Sequence, residues 1–420
     1  MVMAVSAIMS QLAASVTPNG MAVSLAINAV ISVVGGVMVA RTIPAVTFMF
    51  LKAGLSGRDL CKPDKESKVP ESMGLVTGCV FLIVMFLFLG VAFGQHFLNP
   101  TKLFPHAAFS EYLTSLLCIC CMLLLGFADD VLNLKWRYKL VLPTVASLPL
   151  LMVYYVNLGS TTVVMPKLLR PWIGLTLNIG PLYYIYMAML AVFCTNTINI
   201  YAGINGLESG QTVVAGASVA LFNIIELSSS QAFSHYFSLC LLLPFIATSL
   251  ALYYHNRYPA RAFVGDTFTY FSGMTFAVVA IIGHFSKTVL LFFMPQIFNF
   301  LYSIPQLFRL VPCPRHRLPR YNEKLDKVEA SEAEINESEM RWWVLAALKV
   351  LHRLKLVHLR RGTGPDSGKL FINNLTLINL TLLWSGPCHE GTLTNTLLIL
   401  QILSSALAFV IRYPLADLFF

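Results

Sequence analysis

Residues 124–139 read LLGFADDVLNLKWRYK. Here an apolar run ends in two adjacent carboxylates, Asp129 and Asp130, with Lys135, Arg137 and Lys139 close behind. Lipid offers a backbone no hydrogen-bond partners, so such a run reads as a membrane helix, and acids at its mouth mark the water boundary. The stretch predicts a chain that spans a membrane and carries chemistry at its surface.

The composition agrees. Of 420 residues 57% are hydrophobic and 12% charged, about half the charge of a soluble domain. Spans are predicted near 21–43, 74–95, 111–127, 139–156, 182–198, 210–227, 236–254, 267–283, 288–306 and 393–413. The expected fold is an all-α polytopic membrane protein of about ten transmembrane helices, with a small mixed α/β segment between the last two. A core of nine spans covers 1–306, with active-site loops at 44–73, 128–139, 195–209 and 255–266; a cytosolic segment covers 307–392; the last span and tail cover 393–420. Of the 29 Lys and Arg, 24 fall on the side of these loops and five on the other, which makes the loop side cytosolic and both termini lumenal. The nine cysteines show neither a disulfide framework nor metal spacing, and the first twenty residues lack the basic start of a cleaved signal.

Within 307–392, Trp342 and Trp343 with Lys349, Arg353, Lys355, Arg360 and Arg361 fit either an interfacial helix on an anionic bilayer or a packed helix of a small subdomain. Residues 369–382 read as strand, with sequons at Asn374 and Asn379 that stay unglycosylated in the cytosol.

Four polar clusters fall on the cytosolic side. Asp129 and Asp130, with Lys139 ten residues beyond Asp129, suit divalent-cation binding or proton abstraction. In 194–210, CTNTINIYAGINGLESG, Asn196 and Asn199 share a helix face, and Gly203 and Gly206 let the backbone approach a ligand. In 255–267, HNRYPARAFVGDT, Asp266 stands at the start of a span, where a plain helix cap is the bland reading. In 312–320, PCPRHRLPR, prolines hold Arg315, His316 and Arg317 extended, and paired guanidinium groups suit a phosphate or pyrophosphate. Asp and Asn oxygens, a lysine and an arginine pair on one membrane face fit Mg²⁺-assisted phosphoryl transfer. No P-loop, dinucleotide fingerprint or serine triad is present in the sequence.

The motifs GFADDVLNL (126–134), NIYAGINGLE (199–208), FVGDT (263–267) and PRHR (314–317) resemble the polyprenyl-phosphate N-acetylhexosamine-1-phosphate transferase superfamily, most closely its eukaryotic dolichyl-phosphate branch. The resemblance covers about 58–320 and is weak over 321–392. It implies transfer of GlcNAc-1-phosphate from UDP-GlcNAc to dolichyl phosphate at the cytosolic face of the endoplasmic reticulum membrane, giving GlcNAc-diphosphodolichol and UMP. By motif match Asn199 and Asp266 are the Mg²⁺ ligands, and Lys139 and Arg315 hold the pyrophosphate. Asp129 and Asp130 stand beside them in a positioning role. Phe263 stacks on uracil, with Leu60, Gly203 and Asn205 around the base and Glu71 near the ribose. Asn196 counts among the substrate-binding residues, and His316 and Arg317 face the sugar. A homodimer, inhibition by tunicamycin and no nucleic-acid partner are further implications. Arg58, where an uncharged polar residue is expected, and Tyr201, where an aliphatic one is common, depart from the pattern near the nucleotide pocket. The alternatives are a relative with another UDP-aminosugar or acceptor, and a transporter; a transporter needs ionisable groups at the midplane or on both sides.

Overall fold

The computed structural model describes residues 18–63, 66–98, 103–157, 159, 161–314, 317–335, 340–362 and 369–416. Among them, nine helices are long and apolar enough to cross a membrane, and a bent helix pair makes a tenth candidate. The nine are α1 (Pro18–Lys52), α2 (Gly74–Leu98), α3 (His106–Leu132), α4 (Trp136–Asn157), α6 (Pro181–Ile200), α7 (Leu207–Ile225), α8 (Ala232–Asn256), α9 (Gly265–Ile282) and α14 (Glu390–Val410). The bent pair is α10 (Ser286–Phe292) and α11 (Met294–Leu307). The predicted ninth span is thus broken, by 75°, at Phe293, where Pro295 brings no backbone donor to the first turn of α11.

Helix α9 forms the centre, nine-tenths buried in its apolar window and packed on α2, α3, α6 and α8. Close approach depends on small residues: a methyl at Gly126 of α3 would lie 2.7 Å from the Thr267 Cα, and one at Gly273 of α9 only 2.4 Å from the Thr195 Cα of α6. The ends of α3, α6 and α9 that carry Asp129, Asn199 and Asp266 therefore converge.

Several boundaries differ from expectation, each in the direction of more helix. Helix α1 runs through Pro44 to Lys52, so the 44–73 loop shrinks to 53–73 and carries a hairpin, β1 (Ser56–Arg58) and β2 (Lys68–Pro70). Helix α3 continues to Leu132 and α4 starts at Trp136, so the acid pair lies in the last turns of a helix, not in a loop. Helix α6 continues to Ile200. Polar residues at these ends find partners on neighbouring helices, so the helical ladder need not stop where the apolar run does. On the opposite side, β3 (Thr162–Val164) and β4 (Thr176–Asn178) flank the short α5 (Arg170–Ile173).

The segment between the last two spans is mixed α/β. It holds the pair β5 (Arg320–Asn322) and β6 (Lys327–Glu329), then a three-stranded antiparallel sheet of β7 (Glu332–Ile335), β8 (Leu359–Arg361) and β9 (Leu370–Asn373), with β9 central. Helix α12 (Trp342–Arg353) packs Val344 and Leu348 into the core of this sheet. The strand reading of 369–382 holds only for β9; Leu377–Ser385 is helix α13, its first turn capped by the Thr376 side chain. Leu377, Ile378, Leu380 and Leu382 are all buried, and a segment covered all round carries no period to separate strand from helix. Asn374 and Asn379 are buried and hydrogen-bonded, which leaves a glycan no room.

Candidate active site

Helix α9 starts with its first turn held from outside. The carboxylate of Asp130, on α3, accepts the Asp266 N–H (2.6 Å), the Thr267 N–H (3.2 Å) and the Thr267 hydroxyl (2.5 Å). This is an N-cap supplied by another helix. Gly265 turns at φ +72°, and a Cβ there would lie 2.3 Å from Asp130 Oδ2, so only glycine fits between cap and helix.

Asp129 faces the other way. It is 2% exposed and accepts from three donors: Tyr270 Oη at 2.8 Å, the Leu134 N–H at 2.9 Å and Lys139 Nζ at 2.7 Å. Lys139 reaches Asp266 Oδ2 as well, at 2.9 Å, and Asn199 donates its Nδ2 to Asp266 Oδ1 at 2.5 Å. Thus α3, α4, α6 and α9 each present one polar side chain to a single point. Asn196 is turned away from it, donating to the carbonyls of Val192 and Lys139 and so fixing α6 against the turn that carries Lys139.

Beside this point opens a cavity of ≈ 250 Å³. Asn199 and Asp266 line one side; Leu60, Glu71, Gly203, Asn205 and Phe263 line the rest. Phe263 joins the β1–β2 hairpin by backbone bonds to Pro70 and Met73, and Gly57 lies against its ring. Burial pushes the Glu71 carboxyl above its ordinary range, and the charges of Asp130 and Asp266 push it the same way.

Asn205 is the hub of the far wall. Its N–H and Nδ2 donate to Glu390 Oε1, its Nδ2 also to Asp59 Oδ2, and its Oδ1 accepts from the Ala260 N–H. Asp59 is paired with Lys62. Gly203, at φ +121°, sits under Leu318, whose Cδ2 would be 2.2 Å from a Cβ. Arg58 lines the cavity, whereas Tyr201 is 1% exposed and packs behind the wall with Ile204, Leu207, Leu393 and Leu397.

Arg315 and His316 lie outside the described residues. Arg317 is held through its carbonyl by Asn379, and among the described residues its Nη1 is sealed from water with no hydrogen-bond partner; burial lowers its pKa. Asp59, Tyr270 and Glu390 were missed in the sequence. Glu390 carries the same signal as Asp266, an acid at the first turn of a span, and Tyr270 lies one turn beyond Asp266 on α9.

The sequence pattern of Glycosyl transferase family 4 matches residues 112–284, the stretch that carries Asp129, Lys139, Asn199 and Asp266. The UDP-N-acetylglucosamine–dolichyl-phosphate N-acetylglucosaminephosphotransferase of Saccharomyces cerevisiae is 44% identical over 90% of this chain and 89% of its own length. The chain belongs to that phosphotransferase family. The Dictyostelium discoideum member is 45% identical over 90% of this chain and 86% of its own. A phospho-N-acetylmuramoyl-pentapeptide-transferase of Caldicellulosiruptor bescii is 26% identical over 60% of this chain and 75% of its own length. As in the rest of the family, the chain is a multi-pass membrane protein.

Proposed function

We propose that the chain transfers GlcNAc-1-phosphate from UDP-GlcNAc to dolichyl phosphate, releasing UMP, with the reacting phosphates at the Asp266–Lys139–Asn199 corner. The observation that carries this reading is the cavity edge itself. A lysine gripped by two carboxylates stands where an aromatic-walled pocket meets the ends of four spans.

The donor set suits Mg²⁺. Asp266 offers a carboxylate and Asn199 an amide oxygen, both on the cavity wall, and Mg²⁺ takes one or two protein carboxylates plus substrate phosphates. The Asn199 amide is drawn with its nitrogen toward Asp266; a flip about its last bond turns the oxygen there at no cost in packing. When bound, the metal neutralises charge on the pyrophosphate. Lys139, steered by Asp129, adds a second positive charge on the same side. An oxygen of the acceptor phosphate forms the new bond to the β-phosphorus, and the bond from that phosphorus to the bridging oxygen breaks, UMP leaving with the electron pair. A phosphate monoester is largely dianionic near neutral pH, its second pKa being about 6, so no base is needed. That Asp129 and Asp130 are both fully occupied by donors supports a positioning role for each.

Phe263 offers its ring to uracil, with Leu60, Gly203 and Asn205 around the base and Glu71 toward the ribose. By the family resemblance Arg315 holds the pyrophosphate with Lys139, and His316 and Arg317 serve the sugar side; the buried Nη1 donor of Arg317 supports its part in this. The excess of Lys and Arg on the polar end supports a cytosolic active site with both termini in the lumen of the endoplasmic reticulum. A homodimer inhibited by tunicamycin is the arrangement we infer from family resemblance. The test supplies purified chain with Mg²⁺, UDP-GlcNAc and dolichyl phosphate and follows UMP. UMP release that EDTA abolishes is expected; no UMP sinks the reading, and equal rates with UDP-GalNAc sink the sugar assignment.

A further inference from the structure

Helix α12 is apolar on two faces. One is accounted for: Val344 and Leu348, four residues apart, are buried in the sheet core, with Leu345 and Leu351 against it. Among the described residues nothing covers the other. Trp343, Ala346, Ala347, Val350 and Leu354 follow the spacing of a single helical stripe, with Trp342 beside it, and all are exposed. Trp342 is 81% exposed and Leu354 63%. Trp384, at the end of α13, is exposed too, and its Nε1 donates to the Lys355 carbonyl, which places a third tryptophan next to the end of the stripe.

The position of this stripe follows from α11. Asn299, Ser303 and Gln306 are fully buried polar residues inside a span, where lipid could not satisfy them. The subdomain does so: Asn299 accepts from the Leu377 N–H, Ser303 donates to the Leu375 carbonyl, and Gln306 accepts from the Leu375 N–H. Asn299 is eight residues before the end of α11, roughly 12 Å along the axis. Tyr302, on the same helix, donates to the carbonyl of Leu356, three residues past α12. The C-terminal end of α12 is thereby tied to the side of α11, five residues before that helix ends. Lys349, Arg353 and Lys355 stand along that stripe, while the acids of the sheet are taken by others, Glu332 by Arg360 and Glu334 by Lys369.

We propose that the exposed face of α12, with Trp384, is a membrane-interface anchor. Its aromatic and aliphatic side chains seat at the level of the lipid headgroups, and Lys349, Arg353 and Lys355 meet anionic lipid. The occupant is the bilayer because both ends of the segment are spans and the charge beside the stripe is positive. The inference does not depend on the reaction assigned above.

The full-length chain, reconstituted in vesicles of phosphatidylcholine with phosphatidylserine, tests it. Bromine-labelled acyl chains quench tryptophan only within the bilayer. Replacing Trp342 and Trp343, two of the chain's five tryptophans, by Phe is expected to remove about two-fifths of the lipid-quenchable emission, in keeping with interfacial rather than aqueous side chains. The reversal Lys349→Glu with Arg353→Glu is expected to lower the quenching of the remaining chain in phosphatidylserine vesicles and not in pure phosphatidylcholine. If the Phe variants leave lipid quenching unchanged while losing quenching by aqueous acrylamide, the face is in water and the proposal fails. It fails equally if substitution of the two tryptophans converts a dimer to a monomer at the same lipid quenching, since the face would then belong to a second copy.

Discussion

The two sides of the cavity are built in opposite ways. The corner proposed for the phosphates is made of helix ends: Asp129, Lys139, Asn199 and Asp266 lie in the terminal turns of four spans, locked by Gly126 and Gly273 packing and by the Asp130 cap. The wall proposed for the nucleotide is made mostly of loops, with Asp59, Asn205 and Phe263 from three connections and Glu390 from the start of the last span. Groups that must hold a reacting phosphate in place sit on rigid elements, and those that select the ligand sit on connections that tolerate variation. Changes at the corner should therefore strike kcat, and changes in the wall KM.

The largest effect should come from the corner. Asp266→Ala is expected to lower kcat by about 10³-fold, the scale of losing a preorganised electrostatic group, with little change in melting temperature because Asp130 still caps the backbone of α9. A variant with near-normal UMP release would place the chemistry elsewhere. Asp129→Asn should cost about 10²-fold in kcat at constant KM for UDP-GlcNAc, since it lets Lys139 drift from its position; a change confined to KM would break the contrast between the two sides. On the wall, Gly203→Ala strains a positive-φ position and meets Leu318. It should raise the nucleotide KM about tenfold, or about 1.4 kcal/mol, which product inhibition by UMP will report independently.

The smallest effect is a pH dependence. Glu71 ionises above the ordinary carboxylate value of 4.5, and in the role proposed for it, accepting from ribose hydroxyls, the ionised form is the stronger acceptor. The nucleotide KM should therefore improve as pH rises through that elevated value, and Glu71→Gln should flatten this acid limb, by roughly threefold at its low end. An acid limb that survives the substitution assigns the titration to another group.

The sequence by itself determined the spans and most of the corner. A long apolar run broken by an acid has few explanations in lipid, because an ionisable side chain is kept at a helix end only where something pairs with it. Asp129, Asp266 and Lys139 could be read that way, and so could Asn199 from its spacing. Only the tertiary structure decided how the two adjacent acids divide. Asp130 caps α9 and Asp129 steers Lys139, a split set by which way successive side chains leave a helix, and by which neighbours lie there. It also decided the wall, where Glu390 and Asn205 meet across 185 residues of chain, and the second face of α12, since exposure belongs to the packing and not to the pattern. A pairing that distant leaves no local period in the sequence, so it becomes visible only when the last span has folded back against the loop it holds.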